Sequence, residues 1–139
     1  MIGEEIKQEE EVQVAISELI GILFKTHKSM TIDLAKYLIS NYLPKAFKED
    51  QSEIMHKFGI FLIDDMIEYL GYDVLQNEWF DFANILANFS QQKSCILRQA
   101  ACYGLGIFAE NTPAGVMNPE VLPNYLNYLI NAAKLPKGE

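Results

Sequence analysis

Positive charge is in short supply in this chain: 11 lysines and arginines stand against 19 aspartates and glutamates, a formal net charge of −8. A field of that sign repels nucleic acid and anionic membrane surfaces, so neither is an expected partner. Cysteine is scarce too. Cys95 and Cys102 are the only two, and on a helix their spacing separates them by about 10 Å, beyond disulfide reach. That fits a reducing compartment. Histidine is limited to His27 and His56, neither of which has Cys, Asp or Glu at a metal-ligand spacing, and both are expected at the surface with no metal or other cofactor. No apolar run approaches the roughly 20 residues that span a bilayer. The start, "MIGEEIKQEE", has neither the basic opening nor the apolar centre of a signal peptide. A soluble intracellular protein is therefore expected.

What the chain does have is apolar residues, half of its 139 positions, enough to build one domain with a core. Their spacing is helical throughout. Val12, Ala15, Ile16, Leu19, Ile20 and Leu23 step by three and four, after a Glu-rich lead (Glu4, Glu5, Glu9, Glu10, Glu11) that suits a helix start. A second stripe, Ala35, Leu38, Ile39, Tyr42, Leu43 and Ala46, has Thr31 or Asp33 as its cap. Ser52 is placed to cap a third helix, "EIMHKFGIFLIDDMIEYLG", which is apolar around most of its circumference and should be covered on two or more sides; Gly71 ends it. A fourth stripe, Phe82, Ile85, Leu86 and Phe89, begins near Trp79. In the fifth, "LRQAACYGLGIFAENTP", residues Leu97, Ala100, Ala101, Gly104, Leu105 and Phe108 share a face. A sixth, opened by Pro119 or Pro123, carries Leu122, Tyr125, Leu126, Leu129, Ile130 and Ala133.

Six helices and no strand pattern make an all-α chain. "NYLPKAF" and "EVLPNYL" also set a Leu-Pro pair at 43–44 and again at 122–123, two units of roughly 40 residues apart, the period of HEAT and armadillo solenoids. The expected architecture is an α–α superhelix of about six antiparallel helices. Residues 8–27 supply the second helix of a truncated repeat, 31–71 and 73–112 two whole repeats, and 119–135 the first helix of another. A chain cut within repeats at both ends is expected to be a section of a longer array.

Chemistry-bearing patterns are few. Gly104-Leu105-Gly106-Ile107-Phe108-Ala109 fits G-x-G-x-x-A, but a phosphate loop needs those glycines in a turn after a strand, and here they fall in the third turn of an amphipathic helix. They are better explained by close helix packing. Asp64 and Asp65, adjacent on a helix, diverge by about 100°, poor geometry for an acid–base pair. Asp64 and Glu68 read either as a solvated strip with Lys57 or as an acidic rung on a partner-facing surface. Cys102 has no histidine nearby in sequence and sits beside a packing face, the setting of a structural thiol. No catalytic residue is expected, and the chain is not expected to be an enzyme.

The stretches "KFGIFLIDDMIEYLG" (57–71) and "LRQAACYGLGIFAENTP" (97–113) resemble successive inner-helix segments of importin-beta-family nuclear transport receptors, in the importin beta-three branch. Gly59, Asp64, Asp65, Ile67 and Glu68 carry the first match, and Arg98, Gln99, Ala100, Ala101, Tyr103, Gly104, Leu105 and Gly106 the second. Lys93-Ser94-Cys95 departs from it, standing where the family usually has an acidic turn residue. The resemblance implies a piece from the C-terminal third of a receptor that moves between cytoplasm and nucleus. Its implied partners are basic cargo, Ran-GTP and Phe-Gly nucleoporins. If this segment lines the inner surface, Asp64, Glu68, Tyr103 and Glu110 are the expected partner-binding residues. Two other classes stand beside this reading: a HEAT-repeat scaffold of a non-transport complex, and a small helical enzyme, which would need a closed pocket with convergent polar groups.

Overall fold

The computed structural model describes residues 2–117, 119–120 and 122–135, and every regular element among them is helical. The described residues form six helical rods. The first is α1 (Ile2–Thr26). The second runs through α2 (Lys28–Tyr37), a π turn (Leu38–Tyr42) and α3 (Leu43–Ala46). The third joins α4 (Glu53–Asp65) to a π turn (Met66–Leu70) and the short α5 (Gly71–Val74). Then come α6 (Trp79–Phe89), α7 (Cys95–Asn111) and α8 (Leu122–Lys134).

Local chemistry explains most of the boundaries. Ser52 and Ser94 take extended backbone before α4 and α7, and each hydroxyl accepts from the N–H three residues on, Met55 and Leu97. These side chains satisfy donors that a helix start leaves orphaned. The Ser94 hydroxyl donates in turn to Glu53 Oε1 at 2.9 Å, tying the two helix starts together. Pro44 has no N–H and its ring crowds the preceding turn, so the second rod widens into its π turn just before it, where Asn41 Nδ2 donates to the Tyr37 carbonyl. Gly71 ends the other π turn at φ 77°, a backbone region that side chains avoid.

Helix α4 is the middle of a row. It packs on α1 to one side and α7 to the other, while α3 packs on α4, α6 on α7, and α8 also on α7. Behind the row, the second rod and α6 meet at Phe47 and Phe89, 5.4 Å apart. A chain of rings then runs through Tyr72, Trp79, Phe108 and Tyr125 at centroid spacings of 5.4–5.7 Å, linking α5, α6, α7 and α8. Trp79 is fully buried, and its indole N–H donates to Thr112 Oγ1 at 2.9 Å. Burial with a satisfied polar end suits a tryptophan core anchor.

Several sequence expectations are corrected. Helix α1 begins at Ile2, so Glu4 and Glu5 stand in its first turn as expected, while Glu9, Glu10 and Glu11 lie further inside it. Neither Thr31 nor Asp33 caps the second rod: α2 starts at Lys28, and Thr31 is buried within it, its hydroxyl donating to the carbonyls of His27 and Lys28. His56 is half-buried, its Nε2 at 2.8 Å from the Lys48 carbonyl and its ring against Phe89; His27 is exposed as expected. Of the two prolines, Pro123 falls in the first turn of α8 and Pro119 precedes it. Val121, in the repeated Leu-Pro stretch, lies outside the described residues.

The larger correction concerns which face of α1 is buried. Val12, Ile16 and Leu19 are exposed, and the helix instead presents Ser17, Gly21 and Phe24 to the interior, with Ile20 partly covered. The reason is steric. Asp65 of α4 stands against Gly21, so close that a Cβ there would lie 2.9 Å from its Oδ2. Only the small-residue face of α1 fits over it. At the far end α8 buries Tyr125 and Ala132 and leaves Leu122, Leu126 and Ile130 exposed.

The two glycines of "GLG" divide the same way. A Cβ at Gly104 would meet the Asp64 carboxylate and lie 2.9 Å from Leu86 Cδ1, whereas one at Gly106 meets nothing within 4 Å. Only Gly104 is a packing glycine. Gly104→Ala should therefore cost roughly 1–2 kcal/mol, overpacking outweighing the gain in helix propensity, while Gly106→Ala should stabilise by roughly 0.5–1 kcal/mol. Urea midpoints of the two variants moving in the same direction would contradict this placement.

Candidate functional site

A groove of about 870 Å³ crosses the exposed face of the α1, α4 and α7 row. Helix α1 supplies Ser17, Glu18 and Lys25, helix α4 supplies Lys57, Phe61, Asp64 and Asp65, Tyr69 comes from the π turn, and Gln99 and Tyr103 come from α7. Sequence dictates this convergence. Asp64 and Asp65 interrupt an otherwise apolar helix, and as neighbours they point to opposite flanks, Asp65 toward Gly21 and Asp64 toward Gly104. Each carboxylate finds room because its facing helix has no side chain at that point.

Asp64 is only 4% exposed, so it does not belong to a solvated strip. Its Oδ1 is buried without a hydrogen-bond partner. Burial pushes its carboxyl well above the usual carboxylate range, and the negative charges of Asp65 and Glu68 push it further the same way. Asp65, less covered, is raised to about 6 by burial and then by Glu68. The phenols of Tyr69 and Tyr103 are raised as well, first by burial and then by the surrounding carboxylates, Glu68 the foremost. Four groups, Asp64, Asp65, Tyr69 and Tyr103, thus feel the charge of Glu68. Lys57 lines the same groove, its Nζ 5.6 Å from the Phe61 ring centroid in a cation–π contact.

Of the residues singled out from sequence, Asp64 and Tyr103 meet in the groove, and Tyr103 is 59% exposed there. Glu68 is exposed beside it and acts on it through charge. Glu110 is exposed in the last turn of α7, away from the groove lining. Sequence reasoning missed Asp65, Tyr69 and Gly21. The signal for Asp65 was available in the Asp-Asp pair on a helix covered from both sides; Gly21 carried none without knowledge of its partner.

Other chemistry lies outside the groove or is blocked. Arg98 is buried at the base of α7, its Nη1 donating to the carbonyls of Gln92 and Lys93 at 3.0 and 2.7 Å, which braces the α6–α7 turn. Burial raises the Cys102 thiol despite the lowering effect of Arg98, which disfavours the reactive thiolate. Cys95 and Cys102 are both free. Among the described residues no group of three or more His, Cys, Asp or Glu could hold a metal ion, and no helix is long and apolar enough to cross a membrane. What the groove can do is receive a cation. No family model matches this chain, and no curated protein or solved structure matches it significantly.

The raised carboxyls carry a pH signature. Because folded Asp65 holds its proton to about pH 6 against 3.8 for the ordinary group, the folded state binds more protons across that window and stability falls as pH rises through it. The full shift corresponds to at most about 3 kcal/mol, and solvent screening of a partly covered group reduces this to roughly 1 kcal/mol. Asp65→Asn should therefore match the parent near pH 3.5 and exceed it by that amount at pH 7, the difference opening between about pH 4 and 6. Denaturant unfolding at each pH measures it, and a difference independent of pH would contradict the assignment.

Proposed function

We propose that this chain is a section of a HEAT-type α–α solenoid from an importin-beta-type nuclear transport receptor, and that the α1, α4 and α7 row is its partner-facing inner surface. The observation that carries the reading is the juxtaposition of the two receptor-like stretches. They occupy α4 and α7, neighbours in one row, and the residues that carry the resemblance, Asp64 and Gly104, are in contact with each other. Two further features support it. The serine caps of α4 and α7 stand 42 positions apart, within the 40 to 47 residues of a HEAT or armadillo unit. The outward apolar faces of α1 and α8 are the surfaces that flanking repeats would cover, since a repeat cannot bury its hydrophobic face alone.

In this reading the molecule catalyses nothing. It works by differential binding: a flexible superhelix holds basic cargo in one state, and Ran-GTP favours another in which the cargo is released. The carboxylate-rich groove supplies a field that attracts basic segments.

Retention of Ran on the immobilised full-length protein tests the proposal. Ran-GTP should be held at least tenfold more strongly than Ran-GDP. Equal or absent retention would remove the transport reading and leave a HEAT-repeat scaffold of some other complex.

A further inference from the structure

We infer that the contact between α4 and α7 is a proton latch: neutral Asp64 lets Gly104 close over it, and loss of that proton swings the groove side of α7 away from α4. The latch stands on local geometry, and the proposed solenoid enters only in what the movement does to a longer array. Asp64 is the primary observation. It is 4% exposed, and its Oδ1 stands against Gly104, beside Leu86, with no hydrogen-bond partner. Buried polar groups are ordinarily satisfied within the fold. A neutral carboxyl tolerates one orphan oxygen, but a carboxylate in the same place is a buried charge with neither partner nor water. The contact leaves no room even for a methyl group at Gly104, so water reaches Oδ1 only if that glycine withdraws. The proton itself leaves to water in the groove, which Asp64 lines.

The neighbouring contacts supply a pivot. Behind the groove, Phe47 of the second rod meets Phe89 of α6 at 5.4 Å, and Tyr72, Trp79 and Phe108 join the third rod to α7 through α6. At the helix starts, Ser94 donates to Glu53 at 2.9 Å, roughly 15 Å along α7 from Gly104. A rear line of rings and a tie at the base hold α7 on two sides, and the Asp64–Gly104 contact lies on the third. In the proposed array α4 and α7 are equivalent helices of successive repeats, and the curvature of a solenoid follows from the small rotation between repeats. Parting them on the groove side with the rear held reduces that curvature at this step.

The charged and titratable groups around Asp64 set when the latch opens. Helix α4 brings Lys57 and Asp65, the π turn Glu68 and Tyr69, α7 Tyr103, and α1 Glu18 and Lys25 across the groove. Helix α6 contributes Leu86, and the second rod meets α4 elsewhere, through Tyr42 at Phe58 and Phe47 at Gly59. Burial holds the Asp64 proton most strongly, and the negative charges of Asp65 and Glu68 hold it further. The latch is therefore closed at low pH and opens as pH rises through the Asp64 titration, and removing the Asp65 charge moves the opening to lower pH.

NMR of the 139-residue chain from pH 4 to pH 9 tests the latch. The nuclear Overhauser effect between the Gly104 α-protons and the Leu86 δ-methyl reports closure. It should weaken at least fivefold as pH rises, with the midpoint of the Asp64 carboxyl carbon, while the ring contacts Phe47–Phe89 and Trp79–Phe108 persist. Asp64→Asn keeps the shape without the charge and should hold the Gly104–Leu86 signal at full strength at every pH. Asp65→Asn, which leaves the latch itself intact, should move the midpoint to lower pH. A signal constant through the Asp64 titration, an equal loss in Asp64→Asn, an unmoved midpoint in Asp65→Asn, or loss of the rear ring contacts along with it would overturn the inference. Absence of Ran-GTP discrimination would refute the transport role and leave the latch standing; a pH-independent Gly104–Leu86 contact would do the opposite.

Discussion

Helix α4 has a neighbour on each flank, and its two consecutive aspartates must go somewhere. That constraint organises the structure. A carboxylate between packed helices needs space, and the space is made by glycine: Gly21 on α1 opposite Asp65, Gly104 on α7 opposite Asp64. The separation of the three helices, the face each one turns inward and the groove along their exposed side all follow from this two-sided fit. The cost is electrostatic. Two carboxyls are held where their charged forms are disfavoured, and a well-packed apolar pair in their place would remove that penalty.

The same fit explains which elements were legible in the sequence. Helices with one covered face, such as the second rod with Ala35, Leu43 and Ala46, or α7 with Leu97, Ala101, Leu105 and Phe108, announce that face by apolar spacing, and those residues are buried. The Ser52 cap and the start of α6 at Trp79 were readable because they depend on near neighbours in sequence. Helix α1 was misread because it carries two competing faces. Its more apolar one, through Val12, Ile16 and Leu19, is exposed, and tertiary packing on Asp65 selected the face with Ser17 and Gly21. The reading of Asp64 as a solvated alternative failed similarly, since nothing local to α4 shows that α7 brings a glycine to it.

The candidate site was therefore half visible. Asp64 and Tyr103 could be named from a pattern and a resemblance, but their meeting across α4 and α7, and the enclosure of Asp65 and Tyr69 with them, depend on contacts between distant segments. The stretches most like a transport receptor form the contact that shapes the groove, so sequence likeness and local architecture concern the same residues. The exposed apolar faces of α1 and α8 are consistent in that reading with continuation of the array.

Asp64 is a buried carboxyl held against Gly104, its Oδ1 without an internal hydrogen-bond partner. Following the side-chain carboxyl carbon of Asp64 by ¹³C NMR through a pH titration of the protein tests it most directly. Asp64 should titrate well above an ordinary aspartate, and Asp65→Asn should lower its midpoint only in part, because burial is the larger cause. A midpoint near 4, the value of a solvated aspartate, would contradict it.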